Sequence, residues 1–223
     1  MKRIIFLVCA LLITAGFFVK PVQAAGFEFA LGPKLDLGID FYSGDDWNDY
    51  LDASNNNNRP VLAFSFGIIF DMTFFRAGIF GLGFQPEVLF SLNGGGATYD
   101  YDTFWEHRIM GIDIPLLVKP KFKLGNGDLY VLLGPVVLIP VGDVHRQWRD
   151  GSTEGDSDFD PDYDNDATAG IGVGIGYDIT VGPGKLELGI LYTGYLSRLI
   201  DNYDRFNNKI VFSIGYAFNL VKK

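Results

Sequence analysis

The chain has 223 residues, 48% of them apolar, with 28 glycines, 20 phenylalanines, 11 tyrosines and a formal net charge of −9. One domain of ordinary size, or at most two small ones, fits that length. The acidic balance excludes a nucleic-acid binder, which needs a basic face, and a single cysteine excludes an internal disulfide framework or a cysteine-based zinc site. The mean hydropathy is +0.16, yet no obvious membrane helix lies in the body of the chain.

In chain order, the first segment reads as an address. Lys2 and Arg3 precede an apolar run from Ile4 to Val19, then Lys20, Pro21 and Val22-Gln23-Ala24. A positive start, an apolar middle and small residues before a cleavage site predict a secretory signal, residues 1–24, cut after Ala24. The rival reading, an uncleaved anchor, needs ~20 apolar residues, more than this run offers. Cys9 lies inside the run, so no lipoprotein signal is read. Losing Lys2, Arg3 and Lys20 leaves 15 basic against 27 acidic residues, a net charge of −12, and no cysteine. Residues 25–223 are expected to form one domain.

From residue 25 the dominant signal is period two. Phe27, Phe29, Leu31, Leu35, Leu37, Ile39 and Phe41 alternate with Glu28, Ala30, Gly32, Lys34, Asp36, Gly38 and Asp40. That is a strand with one apolar and one polar or small face. The pattern recurs and predicts eight strands, at about 25–41, 61–70, 78–92, 109–122, 129–141, 167–178, 185–197 and 209–221. Most run 10–15 residues, against ~5–6 in globular proteins and ~9–11 for a tilted bilayer-spanning strand. The connections 42–60, 93–108, 142–166 and 198–208 are long and polar. Those at 71–77, 123–128 and 179–184 are short, with Gly125-Asn126-Gly127 and Gly182-Pro183-Gly184 as turn formers. Alternating short turns and long loops on an even number of antiparallel strands is the layout of an outer-membrane barrel.

The two faces separate this from a soluble barrel. The polar face is rich in Gly, Ala and Ser, as in Gly170, Gly172, Gly174 and Gly176, where a soluble exterior carries dense charge. Glycines suit the crowded lumen of an eight-strand barrel. The Phe, Leu and Ile face then meets lipid, with girdle aromatics such as Phe27, Phe41, Tyr42, Phe70, Tyr192 and Phe218 at its ends. The expected fold is all-β: an eight-stranded, antiparallel, up-and-down transmembrane β-barrel. Ser213 to Leu220, with Gly215, Tyr216, Phe218 and Leu220 at the key positions, resembles the terminal-strand assembly signal of bacterial outer-membrane barrels, although Lys222 and Lys223 follow it.

Four stretches carry a wider resemblance. Phe84 to Ser91, Ile112 to Lys119, Leu132-Leu133-Gly134-Pro135, and Gly170 to Gly176 followed by Leu186-Glu187-Leu188 occur in one order along nearly all of 25–223. In this the chain resembles the PorT-like outer-membrane β-barrel domain family of Gram-negative bacteria. The resemblance implies barrel architecture, a porin-like or surface protein, and no particular chemistry.

The register points Lys34, Asp36, Gln85, Glu87, Asp113, Lys119, Lys121 and Glu187 inward. A charge in a narrow lumen is costly unless paired, so these residues are expected to form a cross-lumen network, with Lys34 and Lys119 neutralising part of Glu87, Asp113 and Glu187. Such a network plugs the barrel; the alternative is a narrow ion path. Loop 142–166 holds nine acids, and Asp156, Asp158, Asp160, Asp162 and Asp164 alternate. They are a calcium candidate, although the EF-hand glycine and terminal glutamate are missing. His107 and His145 are expected in loops without a catalytic motif around them. Loop aromatics including Trp47, Tyr99, Trp105 and Trp148 are candidates for interface anchoring or partner contact. The expected protein is non-enzymatic and uses no cofactor. Its partners are outer-membrane lipids, the barrel-assembly machinery and a surface partner of unknown kind. A narrow porin-like channel and, behind it, a lipid-modifying enzyme are the alternatives.

Overall fold

The structure, a computed structural model, describes residues 27–99, 102–159, 167–196 and 206–222. The signal segment, Asp160, Asp162 and Asp164, and most of 198–208 lie outside the described residues. Eleven strands and one helix follow in order: β1 (Glu28–Ser43), α1 (Asp45–Ser54), β2 (Asn57–Arg59), β3 (Val61–Ala77), β4 (Phe80–Thr98), β5 (Thr103–Leu124), β6 (Gly127–Pro140), β7 (Val144–Asp150), β8 (Thr153–Phe159), β9 (Thr168–Val181), β10 (Gly184–Tyr195) and β11 (Phe206–Lys222).

The eight strands expected from the alternation are β1, β3, β4, β5, β6, β9, β10 and β11. Each pairs antiparallel with its neighbours in the order β1-β3-β4-β5-β6-β9-β10-β11, and β11 returns to β1. The sheet therefore closes into a ring with no free edge among these strands, and closure gives each of them a hydrogen-bonding neighbour on both sides. Following paired residues once around the ring, from Lys121 through Tyr130, Gly176, Gly189, Ser213, Asp36, Ser65 and Ser91, the path returns to β5 at Gly111, ten residues from its start. For eight strands that stagger implies a tilt of about 41° and a backbone radius of about 8 Å. Side chains fill a ring of that size.

Three hairpins join the ring strands at the end that also carries Glu28 and Lys222. Their turns are two residues long and start with Gly78, Gly125 and Gly182, at φ 59°, 58° and 56°. The second turn residue of each has ordinary φ. That is the type II′ pattern, which needs glycine first. The connection expected at 71–77 is instead strand: β3 runs on to Ala77, and Gly78-Ile79 make the turn.

The far end differs most from the loops expected there. Segment 42–60 holds α1, which packs Trp47 and Leu51, four residues apart and both buried, against Tyr42 and Ala97. Tyr42 is therefore not a girdle residue; it points inward and meets Trp47 edge-on at 5.4 Å. Segment 93–108 is mostly strand, because β4 and β5 continue pairing beyond the ring up to Thr98 and Phe104. Segment 142–166 contains the β7–β8 hairpin, turned at Gly151, and β7 pairs with the top of β5. One side of the ring thus rises as a wall made of β2, β4, β5, β7 and β8.

Outside, the ring is a belt of exposed apolar side chains, among them Leu35, Leu37, Phe66, Ile68, Val118, Leu133, Val173, Ile175, Leu188, Phe212 and Ile214. Phe212 is 67% exposed and the alternate residue Val211 is 1% exposed. This inverts the soluble pattern, in which the apolar face is the hidden one. No helix of the described residues is long and apolar enough to cross a membrane.

Candidate functional site

The candidate site is the lumen. All eight inward residues named from the register are buried: Lys34, Asp36, Gln85, Glu87, Asp113, Lys119, Lys121 and Glu187. Four strands, β1, β4, β5 and β10, deliver them, because period two turns every second side chain to the axis.

Near the short-turn end, Arg76 forms a two-pronged bond to Asp128 at 3.1 and 2.9 Å, and Lys185 donates to Glu28 at 2.8 Å. Next comes the main cluster. Lys119 donates to Glu187 at 2.6 Å, Asp178 at 3.2 Å and Asp71 at 3.4 Å. Lys121 reaches both oxygens of Asp71, at 2.6 and 2.8 Å, and Thr73 at 3.2 Å. Lys34 holds both oxygens of Glu87, at 2.8 and 2.7 Å, with Asp36 at 3.7 Å. Gln85 ties the halves together by donating to Glu87 at 2.7 Å and Glu187 at 2.9 Å. The result is one connected network across the barrel. Asp71, Asp178 and Glu187 have the spacing of a three-carboxylate metal site; here the Lys119 ammonium bonds to all three.

Beyond the charges lies an apolar layer of Leu117, Tyr130, Leu132, Leu191, Ala63 and Val211. The glycines of β9 make this layer possible. A Cβ on Gly176 would stand 2.2 Å from the Tyr130 hydroxyl, and one on Gly174 would press on Leu191. Tyr130 lies 4.0 Å under Lys119 and donates to the Leu188 carbonyl at 3.2 Å. From Gly170 to Gly176 the lumen face of β9 is bare, so the larger residues of β6 can fill it.

A second polar group sits above. Lys209 bonds Asp113 and donates to Asn93 at 3.1 Å, while Tyr195 donates to Asp113 at 2.8 Å. Asp40 accepts from Asn207 at 3.1 Å and from the Gly94 amide at 3.0 Å. Asp113 is thus served by Lys209, not by Lys34 or Lys119 as expected. Asp71, Asp178 and Lys209 were not singled out in the sequence. Asp71 fell in an expected turn, and the other two stand at strand ends where alternation is shortest; extending each strand by its own period would have found them.

The loop candidates separate. Asp156 and Asp158 stand on β8 rather than wrapping a centre, and Asp158 is held by His145 at 2.7 Å. His107 is buried, not exposed in a loop, and packs on Trp105 at 4.8 Å. Since His145 pairs with Arg108, the residue after His107, the two histidines project from opposite faces of the wall.

A closed antiparallel ring with an apolar exterior and a polar interior is a membrane-spanning β-barrel. The chain belongs to the outer membrane protein beta-barrel domain family, which it matches over residues 23–222; the match does not single out the PorT-like branch. No curated protein matches the sequence. Among solved structures, Ail, the attachment invasion locus protein of Yersinia pestis, aligns with 12% identity and a TM-score of 0.39, covering 86% of this chain and 99% of that one. Neisserial surface protein A aligns with 14% identity and a TM-score of 0.40, over 83% and 95%. The outer membrane protease OmpT of Escherichia coli aligns with 9% identity and a TM-score of 0.34, over 87% and 96%. At such values these likenesses carry no functional argument.

Proposed function

We propose that this is a non-enzymatic outer-membrane barrel with a plugged lumen, whose long-loop end faces outside and serves envelope structure or surface interaction. The observation that carries the reading is the filled interior: a network of Lys34, Glu87, Gln85, Glu187, Lys119 and Asp71 stacked on the Tyr130 and Leu132 layer. Buried charges stay ionised at a tolerable cost only when paired as these are. The exposed belt fits outer-membrane lipids as the surrounding solvent. The terminal strand fits engagement by the barrel-assembly machinery, with Tyr216, Phe218 and Leu220 projecting outward and Gly215 inward, and residues 1–24 fit a removed signal. The PorT-like resemblance fits the same reading.

Reconstitution into planar bilayers tests it. The plugged barrel is silent at all voltages; resolved unitary currents replace it with the narrow porin-like channel. Protease shaving of intact cells tests orientation: cleavage within 142–166 is expected, and cleavage at Gly78, Gly125 or Gly182 instead would invert the topology. Calcium at the alternating aspartates is a separate proposal, tested by calorimetry, and absence of heat at about 1 mM calcium removes it.

A further inference from the structure

The wall above the lumen carries a pocket that the plugged barrel does not use. It has a volume of about 240 Å³ and is lined by, among others, Tyr99, Trp105, Trp148, Arg146, Asp150 and Asn56. Trp105 and Trp148 are direct cross-strand partners on β5 and β7. They share the face of the buried residues Ile109 and Val144, so the pocket looks over the mouth of the lumen rather than towards lipid.

The two indoles are fixed from behind. Trp105 meets Trp47 edge-on at 5.6 Å and donates its indole N–H to the Tyr50 hydroxyl at 3.2 Å. Trp148 lies over Gly155 of β8, where any Cβ would come within 2.7 Å of its ring. Around this aromatic floor stand three planar polar groups. Asn56 gives its amide to Ser54 at 2.8 Å, which leaves its carbonyl oxygen as an acceptor. Asp150 supplies a carboxylate. Arg146 supplies a guanidinium; its neighbours Arg149 and His145 are engaged by Glu154 and Asp158, whereas Arg146 makes no ion pair among the described residues. Alternation along β8 turns Glu154, Asp156 and Asp158 to the other face of the wall.

We infer that this pocket binds a neutral hexopyranose, the exposed end of a surface glycan. The C–H face of a sugar ring packs on the negative face of an indole, and adjacent hydroxyls match the paired atoms of guanidinium, carboxylate and amide. Asp150, on the far side of Trp148 from Arg146 in the same lining, disfavours a phosphate or other strong anion. The volume lies below the ~300–1,000 Å³ of drug-sized sites and suits a single ring. The inference rests on the reading that the long-loop end faces outside.

The test uses the full-length, ¹⁵N-labelled protein refolded in alkyl-phosphocholine micelles, which carry no sugar. Glucose, galactose, N-acetylglucosamine and glucuronate are titrated while the tryptophan indole N–H resonances are followed. At least one neutral sugar is expected to shift the Trp105 and Trp148 signals saturably, with Kd of about 1–10 mM, the range a ligand of so few atoms reaches. Trp148→Ala should weaken it at least tenfold and Arg146→Gln several-fold, both with unchanged heat-modified gel migration. Arg146 is exposed, so its variant carries the test should Trp148→Ala fail to fold. The proposal is overturned by no saturable shift with any neutral sugar up to about 200 mM, by affinity unchanged in the variants, or by glucuronate binding tenfold more tightly than every neutral sugar. Bilayer recording and shaving test the parent reading independently, so failed sugar binding beside silent bilayers and cleaved outer loops removes this inference alone.

Discussion

Lys34 shows how a single side chain decides the interior. Its ammonium lies within 2.8 Å of both oxygens of Glu87, and both side chains are almost fully buried. Replacing Lys34 by Met leaves Glu87 and Asp36 without their cation. Removing one partner of a buried pair costs about 3–5 kcal/mol, whereas replacing both is often near neutral. Lys34→Met is therefore expected to lower the urea midpoint of the folded gel band sharply, and Lys34→Met with Glu87→Gln to recover most of that loss. Additive losses in the double variant would show that the pair is not coupled. Tyr130 makes the same point for packing. Tyr130→Ala faces Gly176 and Gly189, which have no side chains to refill the space, so a cost of about 3–5 kcal/mol is expected in the same assay.

At the scale of elements, two hairpins share one device. Tyr216 lies across Gly184 on the neighbouring strand and donates to the Val181 carbonyl at 2.7 Å. Tyr177 lies across Gly127 in the same diagonal relation and donates to the Leu124 carbonyl. In each case an aromatic ring covers a glycine and its hydroxyl closes the turn. A Cβ at Gly184 would come within 2.4 Å of the Ala217 carbonyl and 2.9 Å of the Tyr216 ring. Gly184→Val is expected to destabilise the barrel by about 1–3 kcal/mol, and Tyr216→Phe by about 1 kcal/mol; equal stability of Gly184→Val and the parent would contradict the device. The strands themselves were legible because one face is apolar at every second residue. The upper halves of β4 and β5 were not: Gly94, Gly95 and Gly96 have no side chains to alternate, and Glu106 and Arg108 make the facing stretch look like a polar loop. Helix α1 was hidden by its acidic composition, with only Trp47 and Leu51 marking a buried face. The lumen residues were legible wherever a strand was long enough to set its phase. Their pairing was not, since Lys209 meets Asp113 only through ring closure.

For the whole molecule, the composition and the fold explain each other. Many of the apolar residues that raise the mean hydropathy form the outer belt, and the glycines of β9 make room for Tyr130 and Leu132 inside. In the proposed plugged barrel the lumen is filled at more than one level, so a single truncation should not open it. Tyr130→Ala with Leu132→Ala and Leu117→Ala is expected to remain silent in bilayers while Lys34, Glu87 and the Lys209–Asp113 pair persist; frequent currents from that variant would place the seal in the apolar layer alone. The fold puts the closed ring across the bilayer with its apolar face in lipid. Nitroxide labels at single cysteines replacing Leu37, Ile175 and Phe212, with Gln147 as the control on the wall, test it in proteoliposomes through collisions with oxygen and with a water-soluble nickel chelate. Oxygen collisions are expected to dominate at the three belt positions and nickel collisions at 147. Nickel-dominated collisions at Leu37, Ile175 and Phe212 would contradict it.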